Sequence, residues 1–422
     1  MSKLALLGGE KIRKTPFVSN ACIKDEEKKR VSAVLDSGML SGFVAKKGDF
    51  FLGGAQLREF EALVQGYFSI EYAIAVNSAT AGLHIAVAAC GIGAGDEVIV
   101  TPYTMSASAT AIVMQKAIPV FSDITENRLC LDPARIEKKI TSRTKAIMVV
   151  HLFGWPAEMH EILNIARKHN LFVIEDCAQA PGAKYKDKFV GTLGHIGVFS
   201  LNQHKTITCG EGGFAITKNS DLALRMQLVR NHGEAVVEDF GSEENYDIVG
   251  YNYRMTELEA AVSIGQFRRL DYLNSHRIEL AEYLIEKLSK FKGIILPRKD
   301  DNTNVYFVLP MRLKRELVGV HRDTFVKALI AEGIPFAAGY VKPIYLAPLY
   351  QKTLKDKSVY DKGICPVCER MYEEELMLTG VCKYPHTKED MDCVVEAFDK
   401  IYNHAEELKR FEDESCCSYR RR

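Results

Sequence analysis

Two residues in the middle of the chain have the chemistry of a covalent catalyst and of its charged partner. Lys205 follows the apolar run 198–201 and precedes the glycine-rich turn 210–213. A lysine in a partly desolvated pocket has a lowered pKa and becomes a nucleophilic amine. Asp176 comes just after the apolar run 172–174, which predicts a carboxylate at the C-terminal edge of a parallel sheet, where ligands bind in open α/β folds. Taken singly, each has a more ordinary interpretation, because most lysines are surface groups and an aspartate often caps a helix.

A third segment has residue types that suit an anion. Ser78, Ala79 and Thr80 directly follow the apolar run 73–76. Small residues that open a helix leave free backbone N–H groups at its positive end, which is a site for phosphate. The alternative is an ordinary N-cap, which the same residue types favour. The sequence predicts a helix start here, with phosphate binding as its functional interpretation.

A fourth segment, 250–261, also predicts a helix start. Thr256 and Glu259 have the spacing of a capping box, in which each side chain bonds the other residue's backbone N–H. That pattern accounts for the helix but not for Asn252, which stands before it.

These residues need a framework, and the pattern around them predicts an α/β fold. Short apolar runs rich in Val, Ile and Phe are typical of strands buried on both faces. They alternate with amphipathic stretches at 81–90, 106–115 and 159–169, which favours a largely parallel sheet. The predicted strands are 73–76, 97–100, 118–121, 146–150, 172–174, 198–201 and 213–217.

The remainder of the chain is different in pattern. Helices dominate from Leu222 to Leu288, and a strand-like run at 305–311 opens a segment with fewer parallel-strand signals. We therefore predict a large α/β domain over residues 1–270, which includes the N-terminal segment, and a smaller α+β domain over 271–422.

Charge and composition exclude several classes of function. Lys plus Arg and Asp plus Glu both number 55, and this balance argues against a broad basic face for nucleic acid. No apolar stretch is long enough for a membrane span or a secretory signal near the start of the sequence, so we expect a cytoplasmic protein without a membrane partner. In that setting the 11 cysteines are expected to be reduced.

Two further motifs have ordinary interpretations. The glycines of 91–95 lie between a predicted helix and a predicted strand, the reverse of a nucleotide-binding loop, so they predict a simple turn. Cys365 and Cys368 form a C-x-x-C pair with Cys382 and His386 downstream. Because the local sequence resembles a turn entering a helix, we predict no metal site there.

In order and spacing, the four segments resemble the fold-type-I pyridoxal phosphate (PLP) enzymes and, more narrowly, the DegT/DnrJ/StrS sugar aminotransferase family. The resemblance spans roughly 17–401. It is most specific over 175–217, where E-D-x-A-Q, S-x-x-x-x-K and G-E-G-G occur in family order. It implies a large PLP-binding α/β domain of the aspartate aminotransferase type and a smaller α+β domain.

The resemblance also implies roles for individual residues. Lys205 matches the lysine that forms a Schiff base with pyridoxal 5'-phosphate, and Asp176 matches the acid paired with the pyridine nitrogen. The aromatic residue that usually stacks on the cofactor ring is replaced here by Met105, with Tyr103 two residues earlier as the alternative. The remaining cofactor contacts implied by the family are Ser78, Ala79, Thr80 and Ser200 at the phosphate, Gln179 near the ring hydroxyl, and Asn252 reaching the phosphate from a partner subunit.

The activity implied is transfer of an amino group from L-glutamate to a keto sugar by a homodimer with shared active sites, in amino-sugar biosynthesis. L-Glutamine replaces L-glutamate in the cyclitol branch of the family. The segments 37–41, 51–54, 102–110 and 230–239 are similar to the branch that makes 8-amino-Kdo from an oxidised Kdo, and a nucleotide-linked keto sugar is the other acceptor considered. Two rivals are a sugar dehydratase, which would have His in place of Lys205, and a non-catalytic PLP-binding regulator, which would lack part of the set.

Overall fold

The computed structural model describes residues 3–18, 22–240, 247–353 and 360–419. The α-helices of this part are α1 Asp25–Ser37, α2 Ala55–Phe68, α3 Ala79–Ala89, α4 Ala107–Met114, α5 Pro133–Ile136, α6 Met159–Lys168, α7 Ser220–Arg230, α8 Glu257–Phe267, α9 Leu270–Leu288, α10 Arg315–Val318, α11 Arg322–Ala331, α12 Pro366–Arg370, α13 Lys388–Asn403 and α14 Ala405–Tyr419. Its strands are β1 Tyr72–Val76, β2 Glu97–Val100, β3 Ile118–Phe121, β4 Thr144–Val150, β5 Phe172–Asp176, β6 Lys184–Tyr185, β7 Lys188–Phe189, β8 Ile196–Ser200, β9 Gly213–Thr217, β10 Ile294–Ile295, β11 Leu309–Leu313, β12 Ala337–Ala338 and β13 Leu376–Thr379.

Within the described residues, one seven-stranded sheet carries the larger core. Its strand order is β1-β9-β8-β5-β4-β2-β3. The pairs from β8 through β5, β4 and β2 to β3 are parallel, and β9 is antiparallel to both of its neighbours. These strands are almost entirely buried because helices cover both faces, as expected for continuous apolar runs. The predicted α/β architecture and the positions of all seven strands are confirmed.

The helix that follows β1 shows how local sequence places a functional segment. Ser78 has extended backbone and its hydroxyl accepts the N–H of Ala81, so it is the N-cap of α3. The helix is rich in Ala, Ile and Val and is buried against the sheet. At its other end, Gly91 and Gly95 have φ of +67° and +87° and connect α3 to β2. The glycine motif therefore forms the predicted helix-to-strand turn, where left-handed backbone favours glycine.

A second core lies around an antiparallel sheet of order β10-β11-β13-β12. Side chains from α9, α11 and α13 pack on it, together with Leu4 from the N-terminal segment. The helix α9 contributes Leu270 and Leu273 to the larger core and Leu280, Leu284 and Leu288 to the second. The two cores are thus joined through one continuous helix, which begins at the predicted domain boundary.

One predicted strand is displaced. The run 305–311 was expected to be extended, but β11 begins at Leu309. Tyr306 has a φ of +46°, which interrupts extended backbone. The N–H of Tyr306 donates to the side-chain oxygen of Asn304. Val305 packs into the larger core, and its N–H donates to the carbonyl oxygen of Gly154. Tertiary contacts therefore override the β-propensity of residues 305–308.

No helix among the described residues combines the length and the apolar character that a membrane crossing demands.

Candidate active site

Four neighbouring strands, β1, β9, β8 and β5, bring the predicted segments to one edge of the large sheet. Gly213 at the start of β9 pairs with Val76 at the end of β1 and with Ser200 at the end of β8. Asp176 ends β5 and pairs with Val198 of β8. Because residue 200 ends β8 and residue 77 follows β1, the serine and the start of α3 lie on either side of Gly213.

This junction forms a small cup whose floor is backbone. A Cβ added to Gly213 would lie 2.7 Å from the amide nitrogen of Ala79, so glycine is what permits the close approach. The N–H groups of Ala79 and Thr80 belong to the first turn of α3 and have no carbonyl one turn earlier to bond. The hydroxyl of Ser200 accepts the N–H of Asn202 at 3.2 Å. The cup combines a helix N-terminus with a hydroxyl, which is chemistry that suits a phosphate.

Asp176 is 5% exposed and its carboxylate is held from two sides. One oxygen accepts the N–H of Ala178 at 3.1 Å, and the other accepts the hydroxyl of Ser108 at 2.7 Å. Ser108 lies on α4, and sequence reasoning did not single it out. Its only signal is its place three residues after Met105, in the segment that follows β2, which β4 separates from β5 in the sheet.

A buried network beneath Asp176 fixes the end of β5. The carboxylate of Glu175 accepts the backbone N–H groups of Gly191, Leu193 and Gly194, and it also accepts from Nε2 of His151 at 2.9 Å. Nδ1 of His151 accepts an N–H from Ala157, so we assign the ring proton to Nε2. His151, Glu175 and Cys177 place ligand-type atoms within 4.8 Å of one another. Since hydrogen bonds already occupy the carboxylate and the imidazole, this cluster positions the strand end.

Lys205 lies in the loop after β8 and lines a cavity that opens to solvent. Burial lowers the pKa of its amine, and the charge of Asp176 opposes that change. The amine nitrogen is 4.7 Å from the ring centre of Phe307, and Lys205 lines a cavity of about 280 Å³. The site therefore has an amine with increased nucleophilic character within the electrostatic reach of a buried carboxylate.

Gln179 connects this edge of the sheet to Tyr340, which lies in the segment between β12 and β13. Its side-chain oxygen accepts the N–H of Phe153 at 2.7 Å, and its side-chain nitrogen donates to the hydroxyl of Tyr340 at 2.9 Å. Burial raises the pKa of Tyr340, so its hydroxyl is neutral at physiological pH. Tyr340 was not predicted, because it is 161 residues from Gln179 in the sequence.

The structure separates Met105 from Tyr103. Tyr103 is fully buried, and its hydroxyl accepts the N–H of Tyr340. Met105 is 56% exposed, and its sulfur lies 3.1 Å from the amide nitrogen of Ala107 at the start of α4. Met105 is the accessible side chain of the two, and its contact with a cofactor ring stays a prediction.

Asn252 is placed apart from the other predicted residues. Its side chain is exposed and accepts from Arg254 at 2.8 Å. Its backbone forms a bridge with Asn231, while the next residue, Tyr253, accepts the N–H of Asn77 beside the cup. The main chain of this segment therefore borders the cup of its own subunit, and the Asn252 side chain faces outward.

The sheet topology and the residues gathered at its edge agree with the fold-type-I PLP enzymes that the sequence resembles. The sequence profile of the DegT/DnrJ/EryC1/StrS aminotransferase family matches residues 21–399. GDP-perosamine synthase of Escherichia coli O157:H7 is 39% identical over 65% of this chain and 72% of its own, and L-glutamine:scyllo-inosose aminotransferase of Streptomyces griseus is 36% identical over 78% of this chain and 79% of its own.

A comparison of folds gives the same result. The X-ray structure of an aminotransferase from Psychrobacter cryohalolentis superposes with a TM-score of 0.83, at 31% identity, over 93% of this chain and all of its own. The chain belongs to the DegT/DnrJ/EryC1/StrS aminotransferase family. It is a PLP-dependent sugar aminotransferase, as the sequence predicted.

The residues present fit pyridoxal 5'-phosphate. The cup at Gly213 would hold the phosphate, the buried carboxylate of Asp176 would face the pyridinium nitrogen, and Lys205 would supply the amine that attaches the aldehyde. When bound, the cofactor supplies an electron sink that stabilises negative charge at a substrate carbon. The protein supplies binding, orientation and a proton carrier.

Proposed function

We propose that this chain transfers the amino group of L-glutamate to the carbonyl carbon of a keto sugar. The acceptor we propose is a keto sugar acid, such as oxidised Kdo, or a nucleotide-linked keto sugar. The observation that supports amino transfer is Lys205: its amine is half-buried, has a lowered pKa and lies within reach of the charge of Asp176. A free amine at this point can take a proton from one carbon and deliver it to another.

The other residues of the site have complementary tasks in this proposal. Asp176 keeps the pyridine nitrogen protonated, and the Ser108 hydroxyl keeps that carboxylate oriented. Gln179 stands between Phe153 and Tyr340, where its amide can orient the ring hydroxyl of the cofactor. The cup around Gly213 binds the phosphate and so fixes the position of the ring.

The presence of Lys205 also separates this proposal from its two rivals. A dehydratase of the same family would have His at that position, and the adjacent His204 is exposed. A non-catalytic regulator would lack part of the set, whereas Lys205, Asp176 and the cup are all present.

A substrate panel tests the proposal. Purified holoenzyme is incubated with L-glutamate, L-glutamine or L-alanine and with neutral, acidic and nucleotide-linked keto sugars, and products are detected by mass. We expect a product in which a carbonyl oxygen is replaced by an amino group, together with 2-oxoglutarate. Water loss from the sugar without nitrogen incorporation would support the dehydratase, and no turnover with any pair would contradict the proposal.

We also propose that the enzyme is a homodimer whose active sites are shared. The outward-facing Asn252 supports this arrangement, since the side chain is exposed beside the cup of its own subunit, where a second subunit can contact it.

A further inference from the structure

The cavity beside Lys205 has an unusual charge. It lies between α9, the segment 307–308 and the segment that follows β13, and the cations that line it beside the Lys205 amine are Arg277 and Lys383. In the described part of the chain, no Asp or Glu lines it. A cavity with basic walls and no acid concentrates anions, because its low-dielectric surroundings strengthen the field.

Arg277 is the most informative of these groups. It is 7% exposed, and its guanidinium donates to the backbone oxygen of Phe307 at 3.1 Å. It forms no ion pair with any residue that the structure describes. Burial lowers the pKa of Arg277 to about 10, so the group is still charged at neutral pH.

Other buried cations of this protein are paired with acids. Arg230 lies 2.8 Å from Glu61, and Lys400 lies 2.8 Å from Glu332. Buried charges are normally paired, because an unpaired one loses hydration without compensation. Arg277 departs from that rule at a position where its side chain lines a cavity.

Lys383 makes the imbalance larger. It is half-buried, and both burial and the charge of Arg277 lower its pKa. Among the described residues it too has no acidic partner within ion-pair distance. Two cations that repel each other are therefore held at one cavity, and an anion between them would remove the repulsion.

We propose that Arg277 and Lys383 form a carboxylate subsite that anchors a substrate while its reacting carbon lies at Lys205. This inference rests on the proposed function and names the chemistry of one of its substrates. The cavity volume of about 280 Å³ is near the lower end for ligand pockets, which suits a small acid better than a nucleotide. The carboxylate belongs either to the amino donor or to a keto sugar acid, and both present the same group to the two cations.

Binding of glutarate to the holoenzyme tests the subsite without turnover. Glutarate has the carbon chain and carboxylates of glutamate but no amino group to react. We expect Lys383→Gln to weaken its binding, measured by calorimetry, about 10-fold, and Arg277→Gln to weaken it about 10- to 100-fold, since hydrogen bonds to charged groups contribute about 1.5–3 kcal/mol. Lys287→Gln is the matched control, because Lys287 is an exposed cation on the same helix α9.

A second arm identifies the source of the carboxylate. The two half-reactions are followed separately through the visible band of the cofactor. L-Glutamate first aminates the cofactor and the band is lost; a keto sugar acid or a neutral keto sugar is then added to the aminated enzyme, and the return of the band is measured. A KM increase for L-glutamate alone assigns the subsite to the donor, and an increase for the keto sugar acid alone assigns it to the acceptor. Either result supports the subsite.

The inference and the proposed function fail in different ways. Should Lys383→Gln and Arg277→Lys both retain the parental glutarate affinity and the parental KM for every acid, the subsite is wrong even if amino transfer is observed. Should the unsubstituted enzyme transfer no amino group, the proposed function is wrong. Arg277→Lys retains the charge and Lys383 is only half-buried, so the test does not depend on a variant that fails to fold.

Discussion

At the scale of single residues, the site depends on an amine whose proton affinity is set by its surroundings. Burial lowers the pKa of Lys205, and Asp176 limits that decrease. A lowered pKa means that the amine stays unprotonated to a lower pH than a surface lysine. The unprotonated amine can attack an aldehyde and accept a proton.

Lys205→Ala should abolish amino transfer. The variant loses the amine that attaches the cofactor and moves the proton, and loss of a general acid–base group alone costs about 10²- to 10⁴-fold in rate. Single-turnover absorbance with L-glutamate measures the effect, and Lys218→Ala, an exposed lysine just after β9, serves as the control. A Lys205→Ala enzyme that turns over at the rate of this control would contradict the role assigned to Lys205.

The hydroxyl of Ser108 should matter to catalysis although it contacts no substrate. It donates to Asp176 at 2.7 Å, and Ser108→Ala removes a hydrogen bond to a buried carboxylate, at a cost of about 1.5–3 kcal/mol. We expect kcat to fall about 10-fold with a smaller change in KM, together with a shift in the pH dependence of the visible band.

The neighbouring Ser106→Ala is the control for that experiment. Ser106 is exposed and its hydroxyl lies near the sulfur of Met105, away from Asp176. Equal pH profiles and kcat values for the two variants would show that Ser108 has no positioning role.

At the scale of elements, the register of three strands decides where the phosphate cup forms. Gly213 pairs with Val76 on one side and Ser200 on the other, and the absence of a side chain lets the start of α3 approach. The cup therefore depends on strand order, because β9 lies between β1 and β8 and its first residue separates their ends.

Gly213→Ala should close this cup. A Cβ there would lie 2.6 Å from the carbonyl oxygen of Phe199 and 2.7 Å from the amide nitrogen of Ala79, which are both backbone atoms. We expect overpacking to lower the free energy of unfolding by about 1–3 kcal/mol. The loss in the free energy of cofactor binding should be larger than the loss in the free energy of unfolding. Thermal unfolding of the apoenzyme and titration with pyridoxal 5'-phosphate measure the two effects separately.

Gly93→Ala is a matched control for this substitution. A Cβ at Gly93 meets nothing within 4 Å, and its φ is not positive. Parental cofactor affinity in Gly213→Ala would mean that the phosphate is bound elsewhere.

The elements were predictable where the chemistry is local. The strands of the large sheet are short, apolar and separated by helical patterns, so their positions agree with the sequence to within a few residues. β5 extends past the predicted 172–174 because the backbone of Glu175 and Asp176 continues to pair with β4 and β8. Ser108, Tyr340 and Arg277 could not be found in this way, since each acquires its role from residues far away in the sequence.

At the scale of the whole molecule, the candidate site lies where the two cores meet. Asp176 ends β5 of the large sheet and Lys205 lies in the loop after β8, whereas Lys383 follows β13 of the small sheet. Arg277 lies on α9 between Leu273, which packs in the larger core, and Leu280, which packs in the second. A division into domains at residue 270 stays a prediction, and it would place the amine and the anion subsite on opposite sides of the boundary.

An exposed apolar surface supports the proposed dimer. We define the apolar rim as Met39, Leu40, Val44, Phe50 and Leu52. All five side chains are exposed, Phe50 by 51%, and exposed apolar side chains of one segment are candidates for an interface. The rim is tied to the Asn252 segment, because Asn231, which bridges to Asn252, donates to the carbonyl oxygen of Val44. A partner that covers the rim would therefore lie next to Asn252.

Complementation between two inactive chains tests whether the sites are shared. In a two-fold dimer, a heterodimer of Asn252→Ala and Lys205→Ala chains contains one site with both residues intact and one with neither. We expect each homodimer to be inactive or nearly so, and the heterodimer, purified through two different affinity tags, to recover about half of the activity of the parental dimer. The control is a heterodimer of Lys205→Ala with the double variant, which has no lysine at either site. An inactive Asn252→Ala/Lys205→Ala heterodimer would show that Asn252 serves its own subunit, and the outward orientation of its side chain would then need a rearrangement on cofactor binding.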